Sequence, residues 1–281
     1  MSKKIYAIKC TNCAAPLDIL GGGRVNTLTC AYCHAMLDLN DHYKVLVKFN
    51  EIKRPDAPFE IGMQGTIQGL KWTIIGWISY KTIEFPSETW HEFFLYSPTH
   101  GYAWLINEKN QISFSKRIRN FDLYAWQTNY AKTIFYNKGH YIQKESKYDI
   151  YIDYVEGGLS WEAKFGDQIT CRDYHGVTKK IINIEQSKKE TEVYLTQGLN
   201  PITVYNAFNI PKEKRIIKRN IIERFESQQD SKKNTLENFE TSDEESNTSI
   251  FRVFITLFIL LLVFAVSSKF YTKPIYETSF T

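Results

Sequence analysis

Residues 62–80 read GMQGTIQGLKWTIIGWISY. In this stretch β-branched and aromatic side chains alternate with small or polar ones, and glycines interrupt the chain at short intervals. Alternation with a period of two is typical of a β-strand with one buried face, and glycine favours the turns between strands. The stretch therefore predicts short consecutive strands joined by tight turns.

The same composition continues over residues 57–209, with EFFLY at residues 92–96 as a second clear alternation. Because no helical pattern of useful length interrupts this region, small barrels or sandwiches are favoured over an α/β enzyme fold. We expect a mainly β protein with two small β units, over residues 57–135 and 145–210. Two tandem SH3-like barrels are one arrangement of these units.

A weak internal repeat is visible in the β-rich region. FEIGM at residues 59–63 corresponds to AKFGD at residues 163–167, and WTII at residues 72–75 corresponds to KKII at residues 179–182. Duplication of one β unit explains this agreement, and so does chance similarity between alternating strands. The sequence leaves both explanations open.

Two Cys-x-x-Cys pairs precede the β-rich region. Zinc takes four thiolates in a tetrahedron, and two residues between paired cysteines allow a tight turn to aim both sulfurs at one metal ion. The sixteen residues between the pairs leave room for a hairpin, with glycines 21–23 in its turn and residues 25–29 as the strand that leads to the second pair. We predict a zinc ribbon over residues 1–48 with a structural Zn²⁺. The four ligands are Cys10, Cys13, Cys30 and Cys33.

Charge argues against a nucleic-acid function for this ribbon. Its basic residues outnumber its acidic ones only slightly, and a four-thiolate zinc site contributes two negative charges, so the ribbon is close to neutral. The whole chain of 281 residues has a net charge of only +4, and no nucleic-acid partner is expected. His34 directly follows the last cysteine, and we interpret it as an exposed residue at the tip of the turn because the ligand set is already complete.

The C-terminal region contains the apolar run VFITLFILLLVFAV at residues 253–266. The run extends to residues 250–268 if Arg252 reaches the interface, which is about the length of one membrane-spanning helix. A buried core helix or an interfacial segment is the alternative, but the run is apolar on all faces and is followed by basic and aromatic residues. We predict a transmembrane helix over residues 250–268 and a short tail over residues 269–281.

The two signals for membrane orientation disagree. Lys269 and Lys273 follow the predicted helix and favour a cytosolic tail. A four-thiolate site, however, needs reduced cysteines, which places the large N-terminal part in the cytosol. We give the redox argument more weight and predict a single-pass membrane protein with most of its chain in the cytoplasm, in contact with the lipid bilayer.

Two further segments connect the β-rich region to the predicted membrane helix. Residues 211–226 carry lysines and arginines around an isoleucine stripe and predict a basic amphipathic helix, which would lie on an anionic membrane or pack against the β domain. Residues 227–249 are polar and acidic with little apolar surface, which predicts a disordered linker.

No complete catalytic motif is present: the chain has no nucleophile elbow, phosphate-binding loop or dinucleotide fingerprint. The best acid–base cluster consists of Asp167, Asp173 and His175 near Cys171, which would place two carboxylates, an imidazole and a thiol around one loop. Such residues more often make hydrogen bonds in turns, and a single cysteine in a strand is more often a small buried side chain. We predict no catalytic residues and no cofactor other than zinc.

Six tryptophans and many tyrosines and phenylalanines offer a second kind of site. Most of them are expected in the core, because small barrels need large side chains to fill them. Trp90 and Tyr102 flank the loop that contains His100, so this edge is the predicted surface for a partner.

Three segments of the sequence carry a resemblance to a known family. GMQGTIQGLKWTIIGWISY, WHEFFLYSPTHGYAWLINE and VEGGLSWEAKFGDQITCRDYHG resemble the bacterial domain of unknown function 4178, and the cysteine pairs are similar to the ribbon often placed before it. The resemblance implies a bacterial, β-rich protein but no activity. The chain departs from the family pattern after Asp173 and Tyr174, where a proline pair is usual, and has Ala14 and His34 where glycine is usual.

Together these features predict a membrane-anchored, non-enzymatic binding or scaffold protein that meets a protein partner at the cytoplasmic face of the membrane. The alternative is an enzyme or small-ligand sensor that uses the second β unit around Asp167, Asp173 and His175. The sequence names no partner, substrate or oligomeric state.

Overall fold

The computed structural model describes residues 6–49, 52–129 and 132–215. Strands dominate this part of the chain, and the prediction of a mainly β protein is confirmed. The strands are β1 (Tyr6–Lys9), β2 (Pro16–Ile19), β3 (Thr27–Thr29), β4 (Ala35–Asp38), β5 (Val45–Lys48), β6 (Gln64–Ile67), β7 (Leu70–Thr82), β8 (Thr89–Ser97), β9 (Gly101–Glu108), β10 (Gln111–Arg117), β11 (Thr133–Tyr136), β12 (Gly139–Gln143), β13 (Tyr148–Leu159), β14 (Gln168–Gly176), β15 (Lys180–Gln186) and β16 (Thr191–Leu199).

Eight of these strands close into one antiparallel barrel. Going round it, β7 pairs with β8, then come β9, β10, β16, β15, β14 and β13, and β13 pairs again with β7. Closure depends on β13, whose first residues pair with β14, from Tyr148 opposite Cys171 to Tyr151 opposite Gln168. A closed sheet leaves no free edge in these eight strands.

The two predicted β units do not form separate barrels. Residues 57–135 contribute β7 to β10 and residues 145–210 contribute β13 to β16, and the two sets complete a single barrel. The reason is that the hydrogen bonds at β10–β16 and β7–β13 join strands that are distant in sequence. The repeat stays a prediction; of its segments, 72–75 lies in β7, and residues 180–182 of the segment 179–182 lie in β15.

Two apolar layers cover the outside of the barrel. One lies under α2 (Pro201–Ala207), where the Asn200 side chain caps the helix by accepting hydrogen bonds from the backbone of Ile202 and Thr203. The rings of Tyr205 and Phe208 pack against Phe59 in this layer. The second layer lies under α1 (Leu123–Asn129) and the β11–β12 hairpin.

An ion pair between the exposed Arg54 and the buried Glu156 fixes the chain before β6 to the outer wall. The Nε of Arg54 donates to the Glu156 carboxylate at 2.8 Å, and the guanidinium lies 4.9 Å from the ring centroid of Trp77. Tyr154 also donates its hydroxyl to Glu156, which is only 5% exposed. This acidic side chain is therefore fully paired.

The ribbon strands extend the sheet of the barrel. β3 pairs with the end of β13, from Gly157 opposite Thr29 to Leu159 opposite Thr27, and β4 and β5 follow β3. The backbones are close here, since a Cβ at Gly76 in β7 would collide with the carbonyl oxygen of Gly158. The predicted hairpin between the cysteine pairs is wrong: β2 pairs with β1, and β3 pairs with β4 and β13.

The predicted C-terminal elements fall mainly outside the described residues. Of the basic helix at 211–226, the structure describes residues 211–215, which contain a 3-10 turn at Lys212–Lys214 in place of an α-helix. The linker at 227–249, the membrane helix at 250–268 and the tail at 269–281 lie outside the described residues. Within residues 6–49, 52–129 and 132–215, no helix has the length and apolar character needed to cross a membrane.

Candidate metal centre and barrel lumen

Each Cys-x-x-Cys pair forms the turn of its own hairpin. In the first turn the Ala14 backbone N–H donates to the Cys10 carbonyl at 2.8 Å, and in the second the His34 N–H donates to the Cys30 carbonyl at 2.9 Å. Ala14 and His34 both have positive φ, at 63° and 53°. These are the positions where the resemblance leads us to expect glycine, and the left-handed backbone explains that preference.

The four predicted cysteines converge on one point. Their sulfurs all lie within 4.8 Å of one another, with Cys10 to Cys33 at 3.7 Å and Cys13 to Cys30 at 3.9 Å. A tetrahedron with metal–sulfur bonds of about 2.3 Å separates its sulfurs by about 3.8 Å. All four thiols are free of disulfides, so the set fits a bound metal ion.

His34 is not the exposed tip residue that we predicted. It is half-buried, and its ring lies edge-on to Tyr154 with 6.3 Å between centroids. The second turn faces the barrel, because the neighbouring strand β3 is bonded to β13. Asn26 strengthens this junction: its backbone N–H donates to the Leu159 carbonyl at 2.8 Å.

The barrel encloses a lumen with an opening at each end. Two cavities of about 400 and 470 Å³ enter it from opposite ends and share four lining residues. The β13–β14 and β15–β16 loops surround one opening, and the β7–β8 and β9–β10 loops surround the other. The shared residues, where the two cavities meet, are Glu92, Trp104, Glu185 and Tyr194.

Several carboxylates line this lumen, and some of them have a raised pKa. Burial raises the pKa of Glu92 to about 7, against the hydrogen bond that the Trp90 indole donates at 3.0 Å. Burial raises the pKa of Glu185 well above its usual range, and the nearby carboxylates raise it further. Burial likewise raises the pKa of Asp173 and Glu192. The lumen is therefore a place where negative charge is unfavourable in the absence of a positive partner.

Aromatic rings form much of the remaining lining, and packing holds them in place. Trp104 lies 4.5 Å from Phe94 and 5.7 Å from Trp161, measured between ring centroids. Trp90 stacks on Tyr80 at 5.6 Å. These rings come from several strands of the barrel, so their relative positions are set by the fold.

The structure separates the predicted acid–base cluster. Asp167 is exposed in the β13–β14 loop, where it accepts a hydrogen bond from the Lys164 backbone at 2.9 Å. Eight residues of extended strand, about 26 Å, separate Asp167 from His175 near the end of β14. Asp173 and Cys171 line one cavity of the lumen and Asp167 lines the other, near its opening; burial raises the pKa of Cys171 well above its usual range. This thiol is therefore not an activated nucleophile.

The predicted aromatic edge is also divided. Trp90 lines the lumen, whereas the Tyr102 hydroxyl accepts a hydrogen bond from the Arg24 backbone of the ribbon at 3.2 Å. His100 is exposed and contacts the neighbouring Thr99 hydroxyl at 2.8 Å. His100 and Tyr102 line one groove beside the ribbon, and Trp90 is separate from it.

Sequence analysis missed the lumen and one further pair. Ser79 and His91 lie 2.7 Å apart on adjacent strands, but Ser79 is fully buried and cannot reach a substrate. The lumen carboxylates had a detectable signal: Glu92, Glu185 and Glu192 occupy positions of one strand face at which an apolar residue is usual.

Comparison with known proteins agrees with the resemblance in sequence. The family model described as Domain of unknown function (DUF4178) matches residues 60–201. The chain belongs to this family. The matched region contains all eight barrel strands and none of the four metal-site cysteines. No curated protein and no solved structure matches the chain.

Proposed function

We propose that this protein is a non-enzymatic binding protein whose barrel lumen receives a small ligand. The observation that carries this proposal is a closed barrel that holds two cavities, one entered from each end, with four lining residues in common. Cavities of this volume are usual for small-molecule sites, and barrels of about eight strands can hold one small ligand. The family match spans the barrel strands, so that the lumen belongs to the family domain.

The proposed role of the metal is structural, and the proposed metal is Zn²⁺ held by Cys10, Cys13, Cys30 and Cys33. Four thiolates fill a tetrahedral zinc site and leave no position for a substrate. The ribbon also has its own small apolar core around the cysteines, with Leu17, Leu28 and Leu37 buried. Zinc would fix the two hairpins, and through β3 it would support the end of β13.

The proposed location is the cytoplasmic face of a membrane, where a protein partner binds. The apolar run at residues 253–266 supports the anchor, and free thiols at the metal site support a reducing compartment. In this arrangement the barrel is tethered to the bilayer and can present its ligand state to a neighbouring protein.

Native mass spectrometry of the full-length protein in mild detergent tests the ligand site. We expect a bound small molecule in the wild type and in Lys71→Trp, which adds a ring at an exposed position of β7. Ser113→Trp fills the lumen and should lose that mass, since Ser113 lines the cavity. A wild-type protein without any bound compound, or a compound retained in Ser113→Trp, would contradict the proposal.

Crosslinking and affinity purification from native membranes test the location and the partner. The full-length protein should be recovered from the membrane fraction with one reproducible crosslinked protein. Recovery in the soluble fraction, or the absence of any specific crosslink, would reject this part of the proposal and leave the ligand site untouched.

A further inference from the structure

The middle of the lumen places acidic side chains beside aromatic rings. Glu92 and Glu185 lie there with Trp104 and Tyr194, and all four residues line both cavities. The carboxylate of Glu185 is half-buried, lines both cavities and forms no hydrogen bond with any residue in the described part of the chain. A half-buried carboxylate without a protein partner has lost part of its hydration, and a bound cation would compensate for that loss.

The basic residues around the lumen are already paired or lie at its openings. At one end Lys164 and Lys189 pair with Glu162, and Arg117 pairs with Glu190 and Glu192. At the other end Lys109 pairs with Glu88.

The two remaining lysines of the lining, Lys147 and Lys188, are exposed at the openings. Within residues 6–49, 52–129 and 132–215, no lysine or arginine forms an ion pair with Glu92, Asp173 or Glu185. When these carboxylates are ionised, no ion pair within the described residues neutralises them, so a bound cation would supply the missing positive charge.

The arrangement of the acids separates two kinds of cation. A metal ion needs several ligand atoms that meet at one point, and among the described residues only the four cysteines bring three or more such atoms within 4.8 Å of one another. The lumen acids come from different strands and face a cavity of about 400 to 470 Å³. This space suits a small molecule that contacts several of these residues at separate positions, and not a single ion.

The rings select an organic cation. An ammonium group over the face of a tryptophan or tyrosine is attracted by the ring quadrupole, and the attraction is larger where water is excluded. Trp104 and Tyr194 adjoin the two glutamates, and packing against Phe94 and Trp161 fixes the Trp104 ring. The carboxylates and the rings would therefore both attract the ammonium group of a bound ligand.

We infer that the lumen binds a small organic ammonium ion, held by the carboxylates of Glu92 and Glu185 against the rings of Trp104 and Tyr194. This inference rests on the proposed function of the lumen as a ligand site and adds the chemical class of the ligand.

Isothermal titration of the full-length protein with probes of matched shape tests the inference. The cations are choline and hexylammonium, the neutral counterparts are 3,3-dimethylbutan-1-ol and hexan-1-ol, and the anion is hexanoate. We expect each cation to bind at least about tenfold more tightly than its neutral counterpart. Equal or tighter binding of a neutral probe or of hexanoate would overturn the inference and keep the lumen as a ligand site.

Failure of all five probes would also overturn the inference. The copurified small molecule in native mass spectrometry then decides the proposed function separately, because a bound neutral or anionic compound would leave that function standing. If no probe binds and no small molecule copurifies, both the cation inference and the proposed function of the lumen are rejected.

Charge-removing variants locate the site. Glu185→Gln and Glu92→Gln should each weaken cation binding about tenfold and leave the neutral probes unchanged. Glu213→Gln removes a charge at an exposed position away from both cavities and should change neither. Glu185 has no hydrogen bond to lose, so the amide variant should fold. Unchanged cation affinity in both lumen variants would place the cation elsewhere and contradict the inference.

Discussion

The ribbon and the lumen both gather groups that bind positive charge, but they arrange them in opposite ways. The four ribbon sulfurs lie within 4.8 Å of one another and meet at a point, whereas the lumen carboxylates are spread over several strands around an open cavity. A converging set suits one metal ion that completes a fold, and a dispersed set suits a larger ligand that enters and leaves. Convergence of ligand atoms thus distinguishes a structural site from a binding site within one chain.

The largest effect is expected from breaking the converging set. Cys30→Ser should lose the metal and several kcal/mol of unfolding free energy, because metal binding and ribbon folding are coupled. Metal analysis and chemical denaturation measure both quantities. Cys171→Ser removes a thiol outside the set and should keep the metal content. A Cys30→Ser protein with full metal content and unchanged stability would remove the distinction between the two sites.

The second prediction concerns pH and the dispersed set. The Glu92 pKa is about 7 in the folded protein, against an ordinary value of 4.5, so the folded state holds its proton to higher pH than the unfolded state. The contribution of this group to stability is therefore present below about pH 4.5 and is lost as pH rises to about 7, by about 3 kcal/mol.

Denaturation of the ligand-free wild type and Glu92→Gln at several pH values measures this effect. The stability of the variant relative to wild type should rise over this pH interval, and the difference cancels the opposite slope of His91, whose pKa burial lowers to about 4. A difference that is flat with pH would contradict the prediction. The titratable groups that face Glu92 from the surrounding strands are Tyr80, Glu108, Tyr148, Cys171, Asp173, Glu185, Glu192 and Tyr194.

The third prediction compares a paired acid with an unpaired one. Glu156→Gln should lower the unfolding free energy by about 2 kcal/mol, because Arg54 then loses its charged partner. Glu185→Gln should raise it at pH 8 without ligand, because burial raises the pKa of this carboxyl in the folded state, whereas the unfolded chain ionises it freely, and the amide has no such cost of folding. Urea denaturation measures the unfolding free energy of both variants. If both substitutions change it in the same direction, the presence of a basic partner does not explain how these two glutamates affect stability.

The smallest effect is expected inside the ribbon. Ala14→Gly relieves a positive φ of 63° and should stabilise the first turn by no more than about 1 kcal/mol. Ala15→Gly, at the next position, has no such strain to relieve and should destabilise by a similar amount. Metal-release rates and thermal denaturation of the two variants test the difference, and destabilisation by both would remove left-handed strain as its cause.

Local signals predicted much of the fold. The cysteine spacing predicted the ligand set because a Cys-x-x-Cys turn is defined by neighbouring residues, and the alternation around residues 62–80 predicted strands for the same reason. The pairing of β10 with β16 depends on contacts between residues more than 75 apart in sequence, such as Ile112 with Leu199. No local pattern specifies such a partner, and two small units were predicted where one barrel forms.

The lumen was harder to predict than the metal site. When each strand is considered alone, Glu92 and Glu185 are single charged residues on alternating strand faces, and nothing indicates that the two faces meet. The two residues face each other across a cavity only because the barrel closes. After closure, one face of each strand lines the lumen. Asp167 and His175, close in sequence, are far apart for a different reason, because the extended strand β14 lies between the loop that holds Asp167 and the position of His175.

Closure of the barrel has a consequence during synthesis. Strands β7 to β10 form by neighbouring hairpins, but residues 76–82 of β7 and the outer edge of β10 receive their partners only from β13 and β16, and the last pair in β16 is Leu199 with Ile112. Until the ribosome has released that residue, the half-made sheet exposes two edges that can join another chain. Such distant pairings give the protein a high contact order, so we expect slow folding. We also expect a need for chaperones until β13 and β16 have paired with β7 and β10.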